Sequence, residues 1–348
     1  MYTLKIHGRD NDSIVLIGAR LSQLKKYVCG DKQVIITDTN IARLYQKDFP
    51  TGNIITLGVG EERKNLDTVK YIYQQLMDFE TDRSTFIVGI GGGVVCDIAG
   101  FAASTFMRGL RYGFVATSLL SQVDASVGGK NGVNFAGYKN MIGVFNQPEF
   151  VICDPDLLNT LPPREILSGL AEVVKHAAIA DDRLFKFLED NFEKALQLDP
   201  AVTERLVYDS AVIKSTIVNQ DEREQGERRK LNFGHTLGHA IEKMTAVSHG
   251  EAISVGMAIA ADLSVKFNLL STSDNKRLHN LLSNFKLPIQ LKFDRKMLMG
   301  GIRRDKKRAG DMIHFILLNG IGEAVVEKFS IQRLSELLKD VNYISDSL

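Results

Sequence analysis

The sequence predicts an α/β protein, with a doubly wound parallel sheet in its first part and mainly helices in its second. Short β-branched segments alternate with helical spacing through the first part, which is typical of parallel strands joined by helices. Glycine recurs densely between Gly89 and Gly143, beside short apolar runs. From Pro163 onward, apolar residues recur mainly at the spacing of amphipathic helices. A chain of 348 residues is long enough for two domains of ~150 residues each.

The elements of the first part follow from these runs. Apolar and β-branched runs predict strands at residues 13–17, 33–37, 53–57 and 86–90. Between the last two strands, residues 66–79 have apolar side chains at helical spacing.

The second part begins after two proline-containing segments. Asp154-Pro155 and Leu161-Pro162-Pro163 interrupt both patterns, because proline fits neither a strand nor a helix interior. We therefore expect domains at residues 1–155 and 156–348. The helical patterns of the second domain cover residues 164–180, 182–197, 200–220, 232–246 and 250–268.

Composition excludes several classes of protein. The 43 basic and 42 acidic residues leave a net charge of +1, which disfavours binding to nucleic acid or membranes by bulk charge. Three separated cysteines, Cys29, Cys96 and Cys153, predict no disulfide framework and fit a reducing, cytoplasmic compartment. The first residues lack the apolar segment of a signal peptide, and no stretch approaches the ~20 apolar residues of a spanning helix.

A buried strand, three consecutive glycines and the start of a helix follow one another at residues 86–100. The glycines at 91–93 allow backbone N–H groups and the helix N-terminus to approach a pyrophosphate, as in Rossmann-like domains. The spacing departs from the usual G-x-G-x-x-G, and a tight turn that needs positive φ angles is the alternative. Asp97 either caps that helix or contacts a ligand. Asp38 and residues 60–64 are either nucleotide contacts or parts of solvated turns.

A second glycine-rich segment, at residues 117–134, is expected to form a loop. It contains Asp124, Lys130 and Asn134, and it is soon followed by Lys139 and Asn140. Lysines among small residues can approach a phosphate or carboxylate as point charges, although surface loops also carry lysine for solubility. The density of polar groups favours a ligand-binding loop.

Three of the seven histidines lie within 15 positions. His235 and His239 are four residues apart on a predicted helix, so their imidazoles face the same way, and His249 can fold back onto that face. Zn²⁺ commonly takes three protein ligands plus water or substrate. Glu172 offers a carboxylate, from a polar stripe over residues 168–176 of another predicted helix. The alternatives are core or helix-end histidines and a solvated stripe.

Basic residues form two further groups. Residues 223–230 run directly into the histidine segment, and residues 303–308 hold five bases in six positions. A solvated loop is the alternative for both groups, and a weak nucleic-acid patch is a further alternative for residues 303–308. Lys214 is an isolated cation in a predicted helix of mostly apolar and small residues.

Several long motifs in the same order give the chain a resemblance to the 3-dehydroquinate synthases, in the sugar-phosphate cyclase superfamily. The motifs that carry it over essentially the full length are residues 91–97, 106–109, 122–130, 139–143, 169–175, 228–239, 249–252 and 305–307. The resemblance implies an NAD-binding α/β domain and a helical domain that binds metal and substrate. It further implies tightly held NAD, one Zn²⁺ ion (or Co²⁺), a sugar-phosphate substrate between the domains, and a cytoplasmic homodimer.

The implied activity converts 3-deoxy-D-arabino-heptulosonate 7-phosphate to 3-dehydroquinate and phosphate. In the family scheme, transient oxidation by NAD precedes phosphate elimination, reduction and aldol closure. This is a lyase step of the shikimate pathway, which leads to the aromatic amino acids.

The resemblance also assigns roles residue by residue. It implies that Glu172, His235 and His249 are the metal ligands. The residues implied to contact substrate or transfer protons are His239, Lys130, Asn140, Lys175, Lys214, Arg108, Arg228, Asn232 and Lys306. The residues implied to lie near NAD are Asp38, Glu61, Lys64, Gly92, Gly93, Val94, Asp97, Thr117, Ser118, Asp124, Lys130, Lys139, Thr160 and Leu161.

The chain departs from the family pattern at three positions. Cys96 stands where Gly is usual, Ser118 stands where Thr is common, and Tyr138 replaces the Gly before Lys139 and Asn140. Ser118 retains a hydroxyl, whereas Tyr138 adds bulk beside two implied ligand residues.

Other functions share parts of this pattern. A related cyclase acting on glucose 6-phosphate or sedoheptulose 7-phosphate would share the glycine turn and the metal group, but Arg228 and Asn232 favour a substrate with a carboxylate. A metal-dependent polyol dehydrogenase of the same fold would consume NAD stoichiometrically. A nucleic-acid-binding module at 303–308 is disfavoured by the neutral total charge and the lack of interleaved aromatic residues.

Overall fold

The computed structural model describes residues 1–9, 11–28, 30, 32–303, 308–309, 311–341 and 344–345. The chain divides into two compact units. The first unit is Met1–Leu161 with Thr203–Arg223, and the second is Pro162–Val202 with Glu224–Leu348. Within the described ranges, no helix combines the length and apolar character needed to cross a membrane.

The secondary structure alternates as predicted in the first part and is mainly helical in the second. The strands are β1 (Tyr2–Ile6), β2 (Ser13–Ile17), β3 (Gln33–Asp38), β4 (Asn53–Leu57), β5 (Phe86–Gly91), β6 (Arg111–Ala116), β7 (Lys130–Phe135), β8 (Tyr138–Phe145), β9 (Phe150–Cys153), β10 (Phe293–Asp294), β11 (Arg308–Ala309), β12 (Met312–Leu318), β13 (Ala324–Ser330) and β14 (Ile344–Ser345). The α-helices are α1 (Thr39–Tyr45), α2 (Leu66–Asp78), α3 (Gly93–Thr105), α4 (Pro163–Ala180), α5 (Asp182–Leu196), α6 (Pro200–Gln220), α7 (His235–Met244), α8 (His249–Lys266), α9 (Thr272–Asn284), α10 (Arg295–Arg303) and α11 (Ile331–Leu337).

A seven-stranded sheet forms the centre of the first unit, in the order β1-β2-β9-β6-β5-β3-β4. β1 is antiparallel to β2, and the remaining neighbours are parallel. The strand order reverses between β3 and β5, because β4 lies outside β3 whereas β6 and β9 continue beyond β5. Ligands of open α/β sheets bind at the carboxyl ends of the strands at such a reversal. The predicted fold class is confirmed, and its topology points to the ends of β3 and β5.

The glycine-rich segment at 117–134 is only partly a loop. Its last residues belong to β7, which pairs with β8 in an antiparallel hairpin. Ala136 and Gly137 make the turn with φ angles of +50° and +78°, a combination that suits the twist of a tight hairpin. The prediction of a loop through residue 134 was wrong because glycine density hid the strand.

The first unit also contains residues 203–223, which a boundary at residue 155 assigns to the second domain. This segment is most of α6. The His7 N–H donates to Asn219 Oδ1 at 2.8 Å, and Lys214 pairs with Asp124. These contacts join residues distant in sequence, so the positions of the prolines, on which the predicted boundary was based, could not indicate them.

In the second unit, α8 packs against α4 and α7. α8 is buried on nearly every side between Gly250 and Ser264. A Cβ atom on Gly250 would lie 2.5 Å from Ser168 Cα of α4, so only glycine allows the two helices this approach. The same unit contains the antiparallel β11-β12-β13 sheet and a short β10-β14 pair.

Candidate active site

The glycine turn lies at the carboxyl end of β5, where the strand order reverses. Gly92 precedes α3 with a φ of −74° and has no side chain with which to cap the first N–H groups. Close packing explains the neighbouring glycines: a Cβ on Gly91 would lie 2.5 Å from Val95 Cβ, and one on Gly93 would lie 3.0 Å from Ala125 Cβ. The turn therefore leaves a helix N-terminus open to an anion.

Asp97 pairs with a lysine instead of capping α3. Lys64 Nζ contacts the Asp97 carboxylate and lies 2.5 Å from Asn140 Oδ1. Burial raises the pKa of the Asp97 carboxyl, and the Lys64 ammonium opposes that rise. The structure therefore shows an ion pair in place of the capping role, and contact of Asp97 with a nucleotide stays a prediction.

Asn134 of the β7-β8 hairpin connects Glu61 to Asn140, which lies beside Lys64 and Asp97. Asn134 Nδ2 donates to Glu61 Oε1 at 2.8 Å, and its Oδ1 accepts from the Asn140 N–H at 2.9 Å. Lys139 Nζ lies 3.7 Å from Glu61 Oε1. Asn140 has a φ of +52°, a strained value for a residue other than glycine. The structure therefore brings Glu61, Lys64, Asp97, Lys139 and Asn140 together.

Asp38 ends β3 and caps α1. Its Oδ1 accepts from the backbone N–H groups of Asn40 and Ile41 at 2.8 and 3.0 Å. Thr160 Oγ1 lies 2.8 Å from the Tyr45 hydroxyl. The capping bonds account for one carboxylate oxygen of Asp38, and a contact with ribose stays a prediction.

Most of the remaining implied nucleotide contacts are small or apolar residues that follow β5 or β6 in the chain. Thr117 and Ser118 are buried just after β6, and the Thr117 N–H donates to Gly91 O at 3.0 Å. Val94 lies half-buried in the first turn of α3, and Leu161 is also half-buried.

Lys214 is not isolated in the fold. Its Nζ contacts the Asp124 side chain and lies 2.5 Å from the Asp124 carbonyl oxygen, with both side chains largely buried. Lys130 is exposed, with Nζ 6.0 Å from the centre of the Phe145 ring. Arg108 is exposed with a φ of +67°. The sequence predicted an isolated cation at Lys214, and the structure instead pairs it with Asp124.

The three implied metal ligands come together in the second unit. Glu172 Oε1 lies 3.2 Å from His249 Nε2 and 3.5 Å from His235 Nε2. Ligand atoms of the three residues all lie within 4.8 Å of one another. His235 and His249 are the first residues of α7 and α8, and Glu172 is fully buried in the middle of α4.

Each imidazole of this group faces an oxygen atom on its far side, at hydrogen-bond distance for His235 and at ion-pair distance for His249. His235 Nδ1 lies 3.1 Å from the Phe233 carbonyl oxygen, and His249 Nδ1 lies 3.6 Å from Glu242 Oε2. Burial lowers the pKa of His249, but the carboxylates of Glu172 and Glu242 outweigh it and raise the pKa to about 9. The group therefore favours a positive charge at its centre.

His239 lies beside this group. Its ring centre is 5.2 Å from that of His235 and 6.3 Å from that of His249. Within the described ranges, the close ligand group contains Glu172, His235 and His249 without His239. The geometry separates two histidines that spacing alone could not distinguish.

The polar stripe on α4 does not face solvent. Ser168, Glu172, Lys175 and His176 are all buried, and Lys175 Nζ contacts the Glu172 carboxylate. The alternative of a solvated stripe is wrong because α8 packs against α4 at this position, as the approach of Gly250 shows.

The basic stretch before the histidines is also more than a solvated loop. Arg228 is buried, at 2% exposure. Asn232 Nδ2 donates to Glu224 Oε1, and Glu224 has a φ of +60°. Residues 304–307, which include Lys306, lie outside the described residues, as does Cys29.

Glu242, whose Oε2 lies 3.6 Å from His249 Nδ1, was not predicted from the sequence as a site residue. The available signal was its position on α7, seven residues after His235 and three after His239, which places all three on one helix face. Charged residues on helices are common, so that spacing alone does not single it out.

Comparisons with known proteins identify relatives over most of the chain. Residues 54–168 match the family described as 3-dehydroquinate synthase N-terminal, and residues 169–308 match 3-dehydroquinate synthase C-terminal. The curated 3-dehydroquinate synthase of Dehalococcoides mccartyi (strain CBDB1) is 40% identical over 337 residues, which cover 93% of this chain and 94% of the relative.

Two of the solved structures of similar fold are synthases. A 2-deoxy-scyllo-inosose synthase complexed with carbaglucose-6-phosphate, NAD+ and Co2+ has a TM-score of 0.86 and 28% identity, covering 97% of this chain and 100% of that chain. The 2-epi-5-epi-valiolone synthase of Streptomyces hygroscopicus subsp. jinggangensis 5008 has a TM-score of 0.88 at 24% identity, covering 96% and 97%. The second likeness concerns the fold alone.

Proposed function

The chain belongs to the 3-dehydroquinate synthase family, and from this premise we propose that it converts 3-deoxy-D-arabino-heptulosonate 7-phosphate to 3-dehydroquinate and inorganic phosphate. The reaction makes it a phosphate-eliminating lyase of the shikimate pathway. The observation that carries the proposal is the buried group of one carboxylate and two imidazoles formed by Glu172, His235 and His249.

Two bound groups belong to this proposal. Two imidazole nitrogens and one carboxylate oxygen are a donor set that suits Zn²⁺ or Co²⁺ with a position left for substrate. The tight backbone packing at residues 91–93 suits a pyrophosphate at the start of α3. When bound, NAD supplies a hydride acceptor that is restored in each turnover, and the metal ion supplies a Lewis acid.

The substrate carries two anionic groups, a carboxylate and a phosphate monoester, and lysines held in ion pairs suit both. Lys175 and Lys214 are each held by a neighbouring acid, Glu172 and Asp124, so their ammonium groups are positioned before an anion binds. The buried guanidinium of Arg228 suits bidentate binding of a carboxylate. The proposed substrate contacts are Arg108, Lys130, Asn140, Lys175, Lys214, Arg228, Asn232 and Lys306.

His239 is the proposed proton-transfer residue. It is half-buried, one helical turn from His235, and outside the close ligand group. We propose that its imidazole takes no part in holding the ion and exchanges a proton with an oxygen of the bound substrate. Glu172 and Lys175 exclude water on the α4 side, with exposures of 0% and 1%.

A related cyclase is the second candidate function. The likeness to a 2-deoxy-scyllo-inosose synthase favours it, because that protein shares the fold over 97% of this chain at 28% identity. The two candidates differ in whether the substrate carries a carboxylate, for which Arg228 and Asn232 are the proposed partners.

A substrate panel separates the candidates. Purified protein with NAD and Zn²⁺ is given 3-deoxy-D-arabino-heptulosonate 7-phosphate, glucose 6-phosphate, sedoheptulose 7-phosphate or glycerol, and phosphate and NADH are measured. We expect phosphate from the first substrate with no net NADH. Phosphate from only the second or third substrate would indicate the related cyclase, and stoichiometric NADH from glycerol without phosphate release would indicate a polyol dehydrogenase.

Two expectations about the protein's setting complete the proposal. A reducing cytoplasm is supported by Cys96 and Cys153, which are both free thiols and buried. A homodimer follows from the family resemblance alone, and sedimentation of the purified protein tests it.

A further inference from the structure

His249 lies between two carboxylates that come from different helices. Its Nε2 is 3.2 Å from Glu172 Oε1 of α4, and its Nδ1 is 3.6 Å from Glu242 Oε2 of α7. The Glu242 side chain is 13% exposed and that of His249 is 26% exposed, so water competes only weakly for this contact. The two ring nitrogens thus face two different acids.

A histidine that ligates a metal through one nitrogen needs its other nitrogen held. An acceptor at the second nitrogen fixes the tautomer and the ring orientation, and it makes the ligating nitrogen more basic. His235 has such an acceptor in the Phe233 carbonyl oxygen, 3.1 Å from Nδ1. For His249 the corresponding group is the Glu242 side chain.

We propose that Glu242 is a positioning residue that accepts the Nδ1–H of His249 and keeps Nε2 facing Glu172, which strengthens metal binding. The inference rests on the proposed metal site. It assigns Glu242 no contact with the ion, because the imidazole of His249 separates the two. The Glu242 carboxylate carries a negative charge that the Phe233 carbonyl lacks, and this charge favours its pairing with the His249 ring.

Nearby Glu251 provides a matched control. It accepts from the Ser248 N–H at 2.6 Å and lies 3.4 Å from Arg164 Nη2, so its carboxylate serves the start of α8. Glu251→Gln removes one negative charge two residues from His249 in the chain and keeps a side chain that suits the same capping position. It therefore measures the effect of charge alone.

Metal affinity tests the proposal without relying on turnover. Metal-free wild type, Glu242→Gln, Glu242→Ala and Glu251→Gln are titrated with Zn²⁺ and Co²⁺ against a competing chelator, and unfolding of the metal-free proteins is measured in parallel. Loss of such an outer partner typically weakens metal binding ~10–100-fold. We expect this loss for Glu242→Ala, a smaller loss for Glu242→Gln, and affinity within about twofold of wild type for Glu251→Gln. We also expect the absorption bands of bound Co²⁺ to shift in both Glu242 variants.

The outcomes separate this inference from the metal site on which it rests. Wild-type affinity and an unchanged Co²⁺ spectrum in both Glu242 variants would overturn the positioning role alone. An equal loss in Glu251→Gln would overturn it too, because charge would then explain the effect. If Glu242→Ala does not fold, Glu242→Gln decides by the same measurements. Wild-type protein that binds neither ion would overturn the metal site and the inference together.

Discussion

Gly250→Ala is expected to damage the metal group by separating two helices. The new Cβ would lie 2.5 Å from Ser168 Cα, whereas carbon atoms in contact prefer separations of ~3.5–4.0 Å. α8 must then move away from α4 by about 1 Å. That movement acts directly on the 3.2 Å separation of Glu172 Oε1 and His249 Nε2, because His249 is the neighbouring residue on α8.

The magnitude follows from two opposing effects. Overpacking costs about 1–3 kcal/mol, whereas replacing a helical glycine by alanine stabilises by about 0.5–1 kcal/mol. We expect a net loss of about 1–2 kcal/mol in the free energy of unfolding. Metal sites tolerate errors of only ~0.2 Å in ligand distances, so affinity for Zn²⁺ should fall by at least about tenfold.

Urea unfolding and chelator competition measure both effects, with Gly300→Ala as the matched control. A Cβ on Gly300, in α10, would meet nothing within 4 Å. That variant should keep its metal affinity and gain up to about 1 kcal/mol in the free energy of unfolding. A Gly250→Ala protein as stable as wild type, with unchanged metal affinity, would show that the approach of α8 to α4 at this position does not control the metal group.

Three further outcomes are expected. Alanine variants of the three proposed metal ligands should each lose bound metal, and one equivalent of Zn²⁺ retained in elemental analysis would remove that residue from the ligand set. His239→Ala should retain metal and NAD but lose turnover by ~10²–10⁴-fold; a metal-free preparation would contradict its proton-transfer role. Burial, Arg229 and Lys328 lower the pKa of His314. As the pH falls, His314 is therefore protonated in the unfolded chain before it is protonated in the folded chain. The free energy of unfolding should decrease as the pH drops below about 6.5 towards the lowered pKa. Urea unfolding over this range should show a weaker pH dependence for His314→Gln, and parallel curves would exclude the effect.

The fold was predictable where local pattern and tertiary structure agree. An apolar run such as residues 86–90 has few alternatives to a buried strand, and helical spacing located α4 to α8 to within three residues at each end. The β7-β8 hairpin was missed because glycine in its strands imitates a loop. The placement of residues 203–223 depends on distant contacts such as Lys214 with Asp124, for which the local sequence carries no signal.

The candidate site was predictable only in part. Spacing indicated that His235 and His239 share a helix face, but which of them approaches Glu172 depends on how α4, α7 and α8 pack. The resemblance to the family implied that His235 is the metal ligand, and the structure places its Nε2 3.5 Å from Glu172 Oε1. Buried lysine–acid pairs such as Lys64 with Asp97 join segments that are 33 residues apart, so they emerge only from the folded chain.

In the proposed reaction NAD is restored within each turnover, and the number of phosphates released per NAD measures this. Purified protein is supplied with one equivalent of NAD per chain, Zn²⁺ and excess 3-deoxy-D-arabino-heptulosonate 7-phosphate. We expect many phosphates released per NAD, with NADH no higher at the end than at the start. Release that stops at one phosphate per NAD while NADH accumulates would contradict it.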